Sequence, residues 1–214
     1  MCFSPTASFG SSVILFGIGA ATIRQTTSPR QWLLAATPIF FAIQQFLEGL
    51  VWVLNGQAQT CAASGFLFFA LGWWPIVLPF AIYLVEPDAR RRRYLLGVNI
   101  AGVLIGSYLI FFLFLNSTRV EMRENSLWYA LSVPWQVTAN IIYRVVIVAG
   151  GLLSSFKAIR RFGVAMLATM AFALTAYWLT EISVWCFFVA LLSGMLYFHF
   201  REQRTRLQRG ARRS

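Results

Sequence analysis

A chain of 214 residues that is 58% hydrophobic and only 12% charged carries about half the ~25% charge of a typical soluble domain. With a mean hydropathy of +0.67, this composition points to lipid as the solvent. The net charge of +11 would suggest nucleic acid in a soluble protein. Here the basic residues lie between and after apolar stretches, where they report orientation, so no nucleic-acid partner is expected. The apolar segments leave no room for a second domain. Residues 1–200 read as one transmembrane domain and 201–214 as an arginine-rich tail.

In chain order, the N-terminus MCFSPTASFG lacks a basic leader, and no small-residue cleavage site follows the first apolar run, so the first helix is expected to be retained. Seven segments approach the ~20 apolar residues that a span requires: residues 8–23, 31–54, 61–85, 94–115, 137–156, 162–179 and 182–200. The last two are divided by a turn expected near Tyr177 to Glu181. Pro38, Pro75 and Pro79 interrupt the second and third spans, and each frees a carbonyl that neighbours or water must satisfy. The fourth span carries Gly102-x-x-x-Gly106, a spacing that lets helices approach closely. Packing within the chain is the first expectation for it, and a homo-oligomer interface the second. The connection 116–136 mixes Arg119, Glu121, Arg123 and Glu124 with Trp128, Tyr129 and Trp135, and reads as an interfacial lid or short surface helix.

Most of the 18 basic residues fall at Arg24 and Arg30, at 90–93, at Lys157, Arg160 and Arg161, and in the tail. With seven spans these all share one side, which positive-inside reasoning assigns to the cytoplasm. The expected fold class is therefore an all-α integral membrane protein of seven transmembrane helices. Its N-terminus is outside and its C-terminus cytoplasmic, as in a bacterial inner membrane. The bilayer is its partner, and the tail is expected to continue the last helix against anionic headgroups.

One span contains a carboxylate. Helical spacing places Gln44, Gln45, Glu48 and Trp52 on one side of the second helix. A charge near a bilayer centre costs roughly 2.5–3.5 kcal/mol, so Glu48 is expected to face protein or a wet cavity. Glu48 lies about 26 Å along its helix and Arg144 about 20 Å above Lys157. Similar depths make a Glu48–Arg144 pair the expectation, with Asn140 and Tyr143 flanking it. Glu181 falls near the same end. Glu48-x-x-Val51-Trp52 and Glu181-x-x-Val184-Trp185 share a spelling, which raises a three-plus-one-plus-three arrangement of parallel repeats. An ion-pair network that only fixes helix packing remains the alternative to a ligand pathway.

Cys2, Cys61 and Cys186 all map to the outer side. A Cys2–Cys61 bridge and no bridge both remain open, and a processed N-terminus would expose Cys2 as a nucleophile or ligand. The single histidine, His199, sits at a helix end. No motif for a catalytic triad, a metalloprotease helix or a phosphate-binding loop is present, so neither a catalytic set nor a metal-binding set is assigned. Retinal is argued against, because the only lysine, Lys157, is not in the last helix. No other cofactor is expected.

The opening Met1-Cys2-Phe3-Ser4-Pro5-Thr6-Ala7-Ser8-Phe9 and the motif Ile43-Gln44-Gln45-x-x-Glu48-Gly49-x-x-Trp52 resemble an uncharacterised family of small multi-pass membrane proteins, a domain of unknown function. Members begin Met-Cys-Phe-Ser-Ala-Thr-Ala-Ser-Phe, and Pro5 departs from that pattern. The resemblance implies membership and a shared Cys2–Glu48 constellation, without an activity. The expected function is binding or transport of a small solute or ion through an outward-facing polar pocket. The site would comprise Gln44, Gln45, Glu48, Trp52, Asn140, Tyr143, Arg144, Glu181 and Cys2. The alternatives are a membrane scaffold or accessory subunit and, from another class, a membrane enzyme using Cys2.

Overall fold

The computed structural model describes residues 4–116, 118–123 and 126–211. Within them the chain forms a bundle of seven helical passes, six of them long and apolar enough to cross a membrane: Pro5–Ile23, Pro29–Val53, Gly56–Val85, Ala89–Leu115, Lys157–Ala176 and Glu181–Arg209. The remaining apolar helix, Gln136–Leu152, has 17 residues, or about 26 Å of rise. Large apolar side chains such as Val13, Phe16, Leu104, Phe114 and Val145 are exposed on the outside of the bundle. That is the surface expected of a protein solvated by hydrocarbon.

Helix α1 (Pro5–Ile23) starts at Ser4, whose hydroxyl accepts from the Ala7 amide at 3.2 Å. Pro5 takes the first helical position, where its missing N–H would have had no partner anyway. The second pass comprises a 3₁₀ turn (Pro29–Gln31), α2 (Trp32–Ala35) and α3 (Thr37–Val53). Small residues let α1 and α3 lie close. A Cβ at Gly19 would fall 2.4 Å from Ile39, and one at Gly49 would fall 2.6 Å from the Phe9 ring. Ser12 donates to the Ala42 carbonyl at 2.8 Å.

The third pass is irregular. Helix α4 (Gly56–Leu67) runs through a π segment (Phe68–Trp73) into α5 (Trp74–Val85). Pro75 and Pro79 lack the N–H groups that would serve the carbonyls one turn back. Neighbouring helices attend to the exposed carbonyls. The Tyr143 hydroxyl donates to Ala70 O at 2.5 Å and the Asn99 amide to Ile76 O at 2.8 Å. The Pro75 carbonyl lies against Gly102 of α6 (Ala89–Leu115), so closely that a Cβ there would sit 1.9 Å from the oxygen. Gly106 meets the Gly72 carbonyl in the same way. Both glycines thus face α5 and the π segment of their own chain.

The connection after α6 differs from the expected surface helix. It is an antiparallel hairpin of β1 (Arg119–Arg123) and β2 (Ser126–Ala130), with Val120 opposite Tyr129 and Glu121 opposite Trp128. The aromatic-rich second strand suits a pleated, half-buried surface. Tyr129 stacks on Phe66 at 4.9 Å while Arg123 covers the Trp128 ring at 4.1 Å. Pro134 and the left-handed Trp135 (φ 52°) then redirect the chain into α7 (Gln136–Leu152).

Helix α8 (Lys157–Ala176) packs on α7 where Gly151 meets Gly163. A turn at 177–180, where the sequence places it, leads into α9 (Glu181–Leu192). A break at Ser193–Gly194 precedes α10 (Met195–Ala211), which carries the arginine-rich residues as a continuous helix. Gln203 accepts from Gln31 at 3.0 Å, and Arg204 donates to the Arg24 carbonyl at 2.8 Å. At this basic end Glu86 is buried among the Ser154 hydroxyl, the Ser155 amide and the Ser155 hydroxyl. Arg91 donates to the carbonyls of Leu153 and Ser154, both at 3.1 Å. The sequence pattern did not single out Glu86. Its neighbours show that it ties the two basic-end turns together.

Candidate ligand site at the hairpin end

The residues expected to form one site separate into two adjoining groups. The first is buried in the bundle. Positions 41, 44, 45 and 48 form the inward stripe of α3, and Gln44, Gln45 and Glu48 are all 0% exposed. Their polar atoms are met by other helices. Trp74 Nε1 donates to Gln44 Oε1 at 2.6 Å, and the Trp74 ring stacks on Phe41 at 3.8 Å. Ser11 donates to Gln45 Oε1, and Gln45 Nε2 donates to Glu48 Oε2, both at 3.3 Å. Ser183 donates to Glu48 Oε1 at 2.5 Å. The cluster thereby joins α1, α3, α5 and α9. Trp52 lies half-buried further along α3, and its indole N–H has no partner among the described residues.

The second group is an open vestibule of about 360 Å³ between β2, the first half of α7 and the α8–α9 turn. Asn140, Arg144, Thr180 and Glu181 lie on its wall with Trp128 and Trp178. Arg144 pairs with Glu181. The expected Glu48–Arg144 pair is not formed, and the reason is rotational: depth along a helix is legible from the sequence, but the direction a side chain takes around the axis relative to its neighbours is not. Glu48 faces α9 inside the bundle. Arg144 faces the start of α9, where Glu181 is the nearer carboxylate. Tyr143, one residue back, turns inward to the Ala70 carbonyl and is buried.

Ser183 and Thr180 were missed by the sequence reading, although both belong to the stretch around the second Glu-x-x-Val-Trp spelling. Two residues along a helix rotate by about 200°. Glu181 can therefore line the vestibule while Ser183, on the opposite side of the same turn, reaches Glu48. Inside the bundle lies a narrow space of about 10 Å³ walled by Phe41, Trp74, Tyr143 and Trp185, among others. It is at the lower limit for one water molecule and shares no lining residue with the vestibule. Cys186 is buried on its wall and Cys61 is exposed elsewhere, both as free thiols. Cys2 lies outside the described residues.

At the basic end, clefts of about 230 and 360 Å³ share Phe156, His199 and Gln203 and are rimmed by Arg30, Lys157 and Arg206. The His199 ring packs against Phe156 at 5.2 Å. One charge of this rim is already matched, since Arg206 pairs with the exposed Glu202 at 2.6 Å.

In comparison with known proteins, residues 1–212 match a family described as a family of unknown function (DUF6629). No curated protein and no solved structure matches the chain.

Proposed function

We propose that this chain, which belongs to the family of unknown function (DUF6629), is a seven-span membrane protein that binds a small polar solute or ion in the vestibule at its hairpin end. The observation that carries this reading is the Arg144–Glu181 pair. Both side chains are about one-fifth exposed, 21% and 18%, on the wall of a concave space of about 360 Å³. That volume lies within the range of small-ligand sites, and such sites typically place a few polar groups among aromatic walls.

The distribution of basic residues supports an orientation with this vestibule outside and α10 in the cytoplasm, as in a bacterial inner membrane. α7 would then be a short crossing, and the cationic face of α10 would lie against anionic headgroups. The spans on either side of α6 support a three-plus-one-plus-three count. The two Glu-x-x-Val-Trp spellings, however, lie on α3 and α9, which run in opposite directions. Carriage across the bilayer would need a second conformation that opens a path from the vestibule through the bundle.

The test uses the purified full-length protein in detergent, with melting temperature read against a library of small polar solutes and ions. A stabilising ligand whose effect is lost in Arg144→Ala and Glu181→Ala supports the reading. A library without effect, or one whose effects persist in both variants, refutes it. The scaffold reading is favoured by a different observation, the bonds by which Gln44, Gln45 and Glu48 join four helices. We assign that structural role to the buried cluster and the ligand role to the vestibule.

A further inference from the structure

Resting on the vestibule as a ligand site, we infer that its ligand is a small zwitterion, in which a carboxylate or phosphate lies a few ångströms from an ammonium group. Among the described lining residues, Arg144 and Glu181 are the only charges, and they have opposite sign. The empty site is therefore neutral, and each charge is held by the other.

Neither partner is saturated. A guanidinium has five N–H donors, and Arg144 uses Nη2 toward Glu181 Oε1, with no other hydrogen bond among the described residues. Glu181 Oε2 likewise has no bond among them. The two residues with this spare capacity line the same space. An anionic group on Arg144 and an ammonium on Glu181 would use both while keeping the charges balanced. A ligand with one charge would instead draw one partner away and leave the other uncompensated in a partly desolvated wall.

Two further features fit the same ligand. Thr180 is 2% exposed, lines this wall and has no partner for its hydroxyl among the described residues. It stands at the start of α9, a twelve-residue helix whose first N–H groups favour an anion. Trp178 is 71% exposed on the same wall, and an indole face attracts an ammonium.

The same chemistry has two sources, a free amino-acid-like solute and the headgroup of a zwitterionic phospholipid. Exposed Val137, Ile141 and Leu179 at the rim give lipid a route to the site.

The experiment uses the full-length protein in phosphatidylglycerol nanodiscs, which contain no zwitterionic lipid. One arm titrates neutral-side-chain L-amino acids and glycerophosphoethanolamine by calorimetry. Each amino acid is compared with its methyl ester, a cation, and its N-acetyl form, an anion. The other arm adds phosphatidylethanolamine to the discs and counts retained lipid by native mass spectrometry. The expected result is saturable binding of at least one zwitterion in one arm, which identifies the source. For a solute, that binding should be about tenfold tighter or more than for either singly charged analogue. Arg144→Gln and Glu181→Gln should each weaken it by about tenfold or more. Trp178→Ala, at a position 71% exposed, should weaken it about threefold or more. A singly charged analogue that binds as tightly overturns the zwitterion inference and leaves the vestibule reading standing. Zwitterion binding unchanged in all three variants, or no binding by any probe in either arm, overturns both.

Discussion

Glu48 and Glu181 open the same five-residue spelling and occupy opposite kinds of environment. Glu48 sits well inside α3, fully buried, and accepts from the Ser183 hydroxyl and the Gln45 amide. Glu181 is the first residue of α9, pairs with Arg144 and faces an open vestibule. The tryptophans that close the two spellings differ as well. Trp185 donates to the Met166 carbonyl at 3.2 Å, whereas the Trp52 N–H meets no acceptor among the described residues. A carboxylate inside a span must have its hydrogen-bonding capacity filled by neighbouring helices, so it becomes part of the packing. A carboxylate at a helix start beside a cavity can share its charge with whatever enters. Position in the helix assigns the role that the local spelling leaves open.

The sharpest way to break this contrast is to remove each carboxylate. Glu48→Ala removes the carboxylate that accepts from the Ser183 hydroxyl and the Gln45 amide and opens a cavity, so a loss of about 3 kcal/mol is expected. Glu181→Ala should cost about 1 kcal/mol or less, because its pair is partly exposed. Unfolding in mixed micelles measures both, and equal costs would erase the distinction. Next in size is the coupling within each pair. A double-mutant cycle on Arg144 and Glu181 should give about 1 kcal/mol, falling as salt is raised. The cycle on Ser183 and Glu48 should give roughly 0.6–1.7 kcal/mol, the range for interhelical hydrogen bonds in membranes, with no such salt dependence. A salt-sensitive Ser183–Glu48 coupling would mean that Glu48 is not shielded inside the bundle.

Much of this arrangement was legible in the residues. Apolar length gave the helical passes, including the turn between Ala176 and Glu181 that interrupts a long apolar run. The inward stripe of α3 gave the burial of Gln44, Gln45 and Glu48. What was not legible depends on how helices rotate against one another. Arg144 had two carboxylates at similar depth, and only the packed bundle selects Glu181. The hairpin at 119–130 was hidden by charged residues that are equally at home on a surface helix, although its second strand is rich in aromatics. The π segment could not be read from Pro75 and Pro79 alone, since a proline kink has several geometries. Tyr143, which donates to its Ala70 carbonyl, lies on a helix distant in sequence.

The smallest expected effect tests the contrast at single hydroxyls. Ser183 and Thr180 are both buried, three residues apart around the start of α9. The Ser183 hydroxyl donates to Glu48, so Ser183→Ala should cost about 1 kcal/mol. The Thr180 hydroxyl has no partner among the described residues, so Thr180→Val removes a buried polar atom that contributes nothing to the empty protein. Stability should then be unchanged or rise by up to about 1 kcal/mol. Melting temperature in the absence of solute is the measurement. A clear loss of stability in Thr180→Val would mean that this hydroxyl already has a structural partner, and that the vestibule wall is built for packing in the same way as the cluster behind it. A neutral or stabilising result is what a hydroxyl without a partner among the described residues predicts, and it leaves that hydroxyl available to something that enters the vestibule.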